Sequence, residues 1–454
     1  MTLSPVMQRL ARYIAQAPKR KLPPPVAEKT KHHVLDTIAA MVSGARLLPG
    51  RKAIAYVRTR GGAGEATVVA SNIVTSAENA ALANGMLAHA DETDDSHAPS
   101  LTHPGCGIVP AALAMAEREA ASGEAFLRAV ALGYDVGCRL TMALDAYQFR
   151  EDGHSTHSFG PMFGAAAAGA ALARLNEREV RHCLSYTAQQ ASGISCWMRD
   201  EEHIEKAFDF GGMPARNGVA AVTMVAHGFT GVEDAFSGER SFFVAYGRKP
   251  EPERLLAGLG ETYEVMNTNI KRWSVGSPIQ APLDALDLLL REHRFDADDV
   301  ERMTIRVAHQ GANTTNNRAM PDICMQHLCA VMVLDGTVSF KAAHDERRMR
   351  DRKVLALRSR IELVGDDALS AAMPSRQGII ELRLRDGRTL RHHMKAVRGT
   401  AENPMTREEV DAKAADLIAP VFARARARRL CDALWTLERL GNMRKLRPLL
   451  KEKR

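Results

Sequence analysis

Between His89 and Gly105 the chain reads HADETDDSHAPSLTHPG, three histidines and four acids in one break between apolar segments. A solvated loop has no need of three imidazoles. Imidazole titrates near neutral pH, so a histidine here beside Asp94 or Asp95 is equipment for moving a proton. The same residue types ligate metals. However, no H-E-x-x-H or H-x-H spacing occurs, so the metal-ligand signal is unspecific and proton transfer is the stronger reading. Capping of the next helix by Asp or Ser accounts for the acids but not for the histidines.

Three further segments carry polar residues into apolar helices. EDGHSTHSFGPMFGAAAAG places His154 and His157 just ahead of an Ala-rich helix, whose N-terminal N–H groups attract an anion. HIEKAFDFGGMPARNGVAA sets Lys206 and Arg216 around a glycine turn. NIKRWSVGSPIQAPLDAL gathers Lys271, Arg272, Ser277 and Gln280. Basic residues at helix starts oppose the helix dipole, so carboxylate binding explains them better than helix stability does.

The elements that must position these residues fall into two kinds. Through about residue 240 the pattern is helix after helix, with Val34, Ile38, Met41 and Val42 at helical spacing and Ser76 as a cap for SAENAALANGMLAHA. GPMFGAAAAGAALARL and PARNGVAAVTMVAHGF are apolar nearly all round and read as central helices. After about residue 265 the period changes. VERMTIRVAHQ and SRIELVGD alternate like strands, and GIIELRLRDGRTLRHHMKAV folds about Asp386-Gly387 as a hairpin. Thr406 and Glu409 then form a capping box for a closing helical region. The expected fold is mainly α. A large all-α domain over 1–265 is followed by a smaller α+β lid domain over 266–402, and helices over 403–454 pack back on the first domain.

Composition limits the function classes. No apolar run is long enough to span a membrane, and the N-terminal stretch has no signal-peptide pattern. Seven cysteines without a C-x-x-C pair read as reduced thiols of a cytoplasmic protein. The net charge of +7 is a local feature. Arg424 to Arg454 holds eleven basic and three acidic residues, a net of +8, which leaves the rest near −1. That argues against nucleic acid as a partner and for a solvated or subunit-facing basic helix.

The four polar segments resemble the MmgE/PrpD family, which includes 2-methylcitrate dehydratase, cis-aconitate decarboxylase and iminodisuccinate epimerase. The motif H-A-x-[DE]-x-D-D-[ST]-H…H-P-[SG] stands as His89, Glu92, Asp94, Asp95, Ser96, His97 and His103-Pro104-Gly105. The family's G-x-H turn falls on His154, its loop lysine on Lys206, and its K-x-x-x-x-C-x-x-x-H pattern starts at Lys271. There this chain has Gly276 for the cysteine and Gln280 for the histidine, and His327 aligns with a tyrosine of many members. The resemblance implies a homodimer without metal or other cofactor, acting on a small di- or tricarboxylate. The expected activity is that of a 2-methylcitrate dehydratase-like lyase; an epimerase, a decarboxylase or a non-catalytic carboxylate binder is the alternative. It implies His103 and His154 as the acid/base pair and Asp94 or Asp95 as the carboxylate orienting an imidazole. Lys206, Lys271, Arg272 and Arg216 would bind carboxylates, with Glu92, Ser96, Gln280 and His327 lining the site.

Overall fold

The computed structural model describes residues 3–452; residues 1–2 and 453–454, at the extremes of the N-terminal stretch and the basic tail, lie outside the described residues. The chain is mainly α and divides into two compact units. One comprises Met1–Thr268 with Val410–Arg454, the other Asn269–Glu409.

In the first unit, the Ala-rich helix Thr156–Leu172 is the hub, with almost every residue buried. It packs against Pro104–Arg118, Gly123–Ala143 and Met213–Ala226. Small side chains let these axes approach. A Cβ at Gly164 would stand 2.5 Å from the carbonyl oxygen of Gly133. The same device joins the helix Ala77–Ala88 to the turn Phe208–Gly212. A Cβ at Gly85 would lie 2.3 Å from the Gly211 oxygen, and one at Gly211 would lie 2.1 Å from the Gly85 oxygen. The capping of Ala77–Ala88 follows its sequence: Ser76 Oγ accepts from Asn79 N.

The closing helices return to this unit and fasten it. Lys413, on the helix Arg407–Ile418, forms a buried ion pair with Asp36 at 2.6 Å and donates to the Thr93 carbonyl at 2.9 Å. Breaking a buried pair of this kind by removing one partner costs about 3–5 kcal/mol. The basic tail is not simply a solvated or subunit-facing helix. Arg447 binds the buried Glu117 at 2.6 Å, Arg444 donates to the Glu117 carbonyl, and Arg426 to the Leu449 carbonyl. These three guanidinium groups satisfy internal acceptors. Among the described residues, no helix is long and apolar enough to cross a membrane.

The second unit holds a four-stranded sheet. With β1 (Ala66–Thr67) and β2 (Val74–Thr75) forming a small pair in the first unit, its strands are β3 (Val300–Ala308), β4 (Ile361–Asp366), β5 (Gly378–Leu384) and β6 (Thr389–Met394), in the order β4-β3-β5-β6. Only β3 and β4 are parallel. Met303, Ile305 and Val307 alternate inward from β3, as do Ile380, Leu382 and Leu384 from β5. They share a core with Leu283, Leu286 and Leu289 of the helix Gln280–Glu292 and Leu328 and Met332 of Met325–Asp335. The hairpin turns at Asp386-Gly387, where Gly387 has φ 91°, a conformation glycine adopts without strain. The capping box is present in both directions: Thr406 N donates to Glu409 Oε2 at 2.7 Å, and Glu409 N to Thr406 Oγ1 at 3.3 Å.

Because the Gly85–Gly211 contact is backbone against backbone, Gly85→Ala has no side chain to push aside. We expect it to lower the unfolding free energy by about 1–3 kcal/mol, read as a lower urea midpoint.

Candidate active site

Helix Ala77–Ala88 ends on His89, and helix Pro104–Arg118 begins after His103, its N-cap residue. The intervening loop is pinned by its own backbone. His97 and Thr102 exchange N–H···O bonds of 2.9 and 3.3 Å, and Thr93 N donates to Asp91 Oδ1. This folding turns the two adjacent aspartates in different directions. Asp94, fully buried, accepts from His89 Nδ1 through Oδ2 at 2.9 Å and from His103 Nδ1 through Oδ1 at 3.0 Å. Asp95 accepts from Tyr134 Oη at 2.6 Å, His33 Nδ1 at 2.7 Å and Gly105 N at 2.9 Å.

A carboxylate only accepts hydrogen bonds. Asp94 therefore places the Nδ1 proton on both of its imidazoles and leaves each lone pair at Nε2. The two rings differ in access. The His89 side chain is 0% exposed and that of His103 is 12% exposed, so His103 is the more accessible of the two rings.

The segment 203–212 closes the other side. Phe210 lies between two imidazoles, stacked on His157 at 3.8 Å and on His89 at 4.2 Å between centroids, with His103 tilted against it at 5.4 Å. The Lys206 ammonium pairs with the Glu92 carboxylate and sits 5.3 Å over the Phe210 ring and 5.5 Å over Trp197. Burial, and after it the nearby His103, His89 and Lys206 side chains, hold the His157 pKa well below its ordinary value, so this ring stays neutral. His203 is likewise held neutral, by burial and then by Lys206.

The structure thus gathers His103, Asp94, Glu92 and Lys206 in one place, with Ser96 half-buried in the same loop. His154 lies elsewhere. Its ring stacks on Phe149 at 4.4 Å and meets Tyr246 edge-on, and the imidazole beside His103 is His157, at 5.2 Å. Asp95 orients His33, not a ring of this cluster. Arg216 donates to its neighbour Asn217 and covers Phe208. Neither Ser155, at the N-cap of helix Thr156–Leu172, nor Ser158, in its first turn, caps it. Ser155 Oγ donates to the buried carboxylate of Asp209, and Ser158 Oγ to the Ser192 carbonyl.

Within the second unit, Lys271 is buried. Arg272 is held by Asp284 at 3.1 Å and Asp287 at 2.8 Å and stacks on Trp273. The Gln280 amide braces its own loop, accepting from Trp273 N and donating to the Trp273 and Val275 carbonyls. Arg272 and Gln280 are therefore internal fasteners in this structure. His327 is fully buried, and neither ring nitrogen has a hydrogen-bond partner; burial, then Arg358 and Arg348, push its pKa down to about 4. His33, His203, Trp197 and Phe210 carry no motif that marks them in the sequence. Only the spacing of His203, three residues before Lys206, hints at a shared face.

The model of the MmgE/PrpD N-terminal domain matches residues 8–255, and that of the MmgE/PrpD C-terminal domain matches residues 273–438. The chain belongs to the MmgE/PrpD family. A cis-aconitate decarboxylase of Aspergillus terreus is 24% identical over 469 residues, covering 94% of this chain and 92% of the relative. The cis-aconitate decarboxylase-like protein oryM of Aspergillus oryzae is 25% identical over 335 residues, covering 67% of this chain and 68% of its own. These relatives make this MmgE/PrpD protein a member of a family of enzymes.

Asp94→Asn would keep the size of the bridging side chain but offer one acceptor where two are needed. One of the two rings must then change tautomer. We expect kcat to fall by about 10²–10⁴-fold with the circular dichroism spectrum unchanged.

Proposed function

We propose that the protein is a lyase for a small di- or tricarboxylate, of the 2-methylcitrate dehydratase type, working by proton transfer next to a carboxylate. The observation that carries this reading is the single buried carboxylate, Asp94, aligning the accessible imidazole of His103 beside the Lys206–Glu92 pair. His103 Nε2 takes the proton alpha to the substrate carboxylate. The electron pair left behind enters the carboxylate as an enolate. The Lys206 ammonium is the nearby cation for that charge, and neutral His157 is a ring able to donate a hydrogen bond to it, since an imidazole held neutral polarises an oxygen without protonating it. The β-hydroxyl then departs with a proton from Lys206, giving water and a carbon–carbon double bond. The residues of this cluster suffice for each step.

A second reading is favoured by the relatives named as cis-aconitate decarboxylases. There the bond to a carboxyl carbon breaks, carbon dioxide leaves, and its electron pair is quenched by a proton from the His103 imidazolium. Both readings use the same proton carrier. The working form we propose is a cytoplasmic homodimer, as the family resemblance implies.

The test is proton NMR of di- and tricarboxylates, cis-aconitate and 2-methylcitrate among them, incubated with the protein in deuterated water. Deuterium entering an alpha carbon together with a new olefinic product is the expected result, and loss of carbon dioxide instead of water selects the second reading. No exchange and no product across the panel contradicts both.

A further inference from the structure

Beside the Asp94 relay lie two buried ring nitrogens that the proposed reaction does not use. His89 Nε2 and His203 Nε2 each lack a hydrogen-bond partner, and the two residues are 0% and 8% exposed. An unsatisfied buried polar atom costs on the order of 1–3 kcal/mol, so two of them in adjacent rings require an explanation. The ring centroids are 5.1 Å apart. A ligand atom from each ring and a Glu92 carboxylate oxygen all lie within 4.8 Å of one another.

We propose that His89, Glu92 and His203 form a binding site for a zinc-class divalent cation. Two imidazoles and one carboxylate are a donor set of the zinc type, with a fourth position open to water. His89 is prepared for the role. Its Nδ1 is bonded to Asp94, the carboxylate–histidine arrangement that fixes the tautomer and raises the basicity of the other nitrogen. His203 is prepared differently. It is a non-glycine residue with φ 62° and ψ 12° ahead of the short helix Ile204–Ala207. Such a conformation costs roughly 1–3 kcal/mol and persists where surrounding structure imposes it.

A second combination, His89 with Asp94 and His103, has the same residue types. Its carboxylate already bonds both of its imidazoles, so a cation there would have to dismantle the relay. At the His89–Glu92–His203 set, the cation takes the place of the Lys206 ammonium beside Glu92 and leaves the two bonds of Asp94 intact. Occupancy and the Lys206–Glu92 pair are therefore alternatives. The absence of a ligand spacing in the sequence does not bear on this site, because His203 comes from a distant segment.

The site shares Glu92 and Lys206 with the lyase reading, but its test uses no turnover, so failure of one is distinguishable from failure of the other. The full-length protein, treated with chelator and then dialysed, is titrated with Co²⁺, and its visible d–d absorption is followed. The expected result is one equivalent of Co²⁺ bound with the intense spectrum of low-coordinate nitrogen and oxygen ligation, displaced by Zn²⁺. His203→Gly removes the imidazole while relieving the left-handed backbone, so folding is retained. This variant and Glu92→Gln should each weaken binding by at least about 100-fold, more than loss of an outer-shell partner does. No Co²⁺ spectrum in the unaltered protein would overturn the proposal. So would binding that survives both substitutions, or binding abolished by His103→Ala but kept by His203→Gly.

Discussion

One buried carboxylate, Asp94, accepts from two imidazoles at once, and the rest of the first unit is arranged around that constraint. An isolated ionised carboxylate in an apolar interior is strongly disfavoured; paired with two N–H donors it becomes a rigid anchor. Because both bonds go to Nδ1, the carboxylate dictates the tautomer of each ring. It also ties the end of helix Ala77–Ala88 to the start of helix Pro104–Arg118 across the intervening loop.

The surrounding packing keeps the two rings at their positions. Phe210 fills the space between His89 and His157, so neither ring can rotate without displacing an aromatic neighbour. Phe210 is in turn held where it is by the contact of Gly85 with Gly211, which permits no Cβ on either side. From beneath, Lys413 of the returning C-terminal helices fastens the Thr93 carbonyl, one residue before Asp94. Asp95 contributes from the opposite face by binding His33, Tyr134 and the Gly105 amide. Adjacent acids in the sequence thus have separate duties, one toward the His89–His103 pair and one toward the scaffold.

Features set by short-range pattern were legible in the sequence. The strands at Val300–Ala308 and Ile361–Asp366, the hairpin at Asp386-Gly387, the Ser76 cap and the Thr406–Glu409 box all depend on neighbours a few residues apart, and all are present. So was much of the cluster, because Glu92, Asp94 and His103 share one loop and Lys206 a matching motif. Longer-range facts were not. Nothing in EDGHSTHS distinguishes His154, which stacks on Phe149, from His157, which joins His103; one helical offset decides it. Likewise, the charge of Arg272 and the amide of Gln280 read as ligand-binding groups until Asp284, Asp287 and the backbone of Trp273 are seen to satisfy them.

The tautomer imposed by Asp94 on His89 and His103 is tested directly by ¹⁵N NMR of the histidine ring nitrogens. With His89 and His103 assigned by substitution, both should show a protonated Nδ1 and a bare Nε2 at a pH where the rings are neutral. If either ring carries its proton on Nε2 instead, Asp94 is not the acceptor that orients it, and the account of the site is wrong.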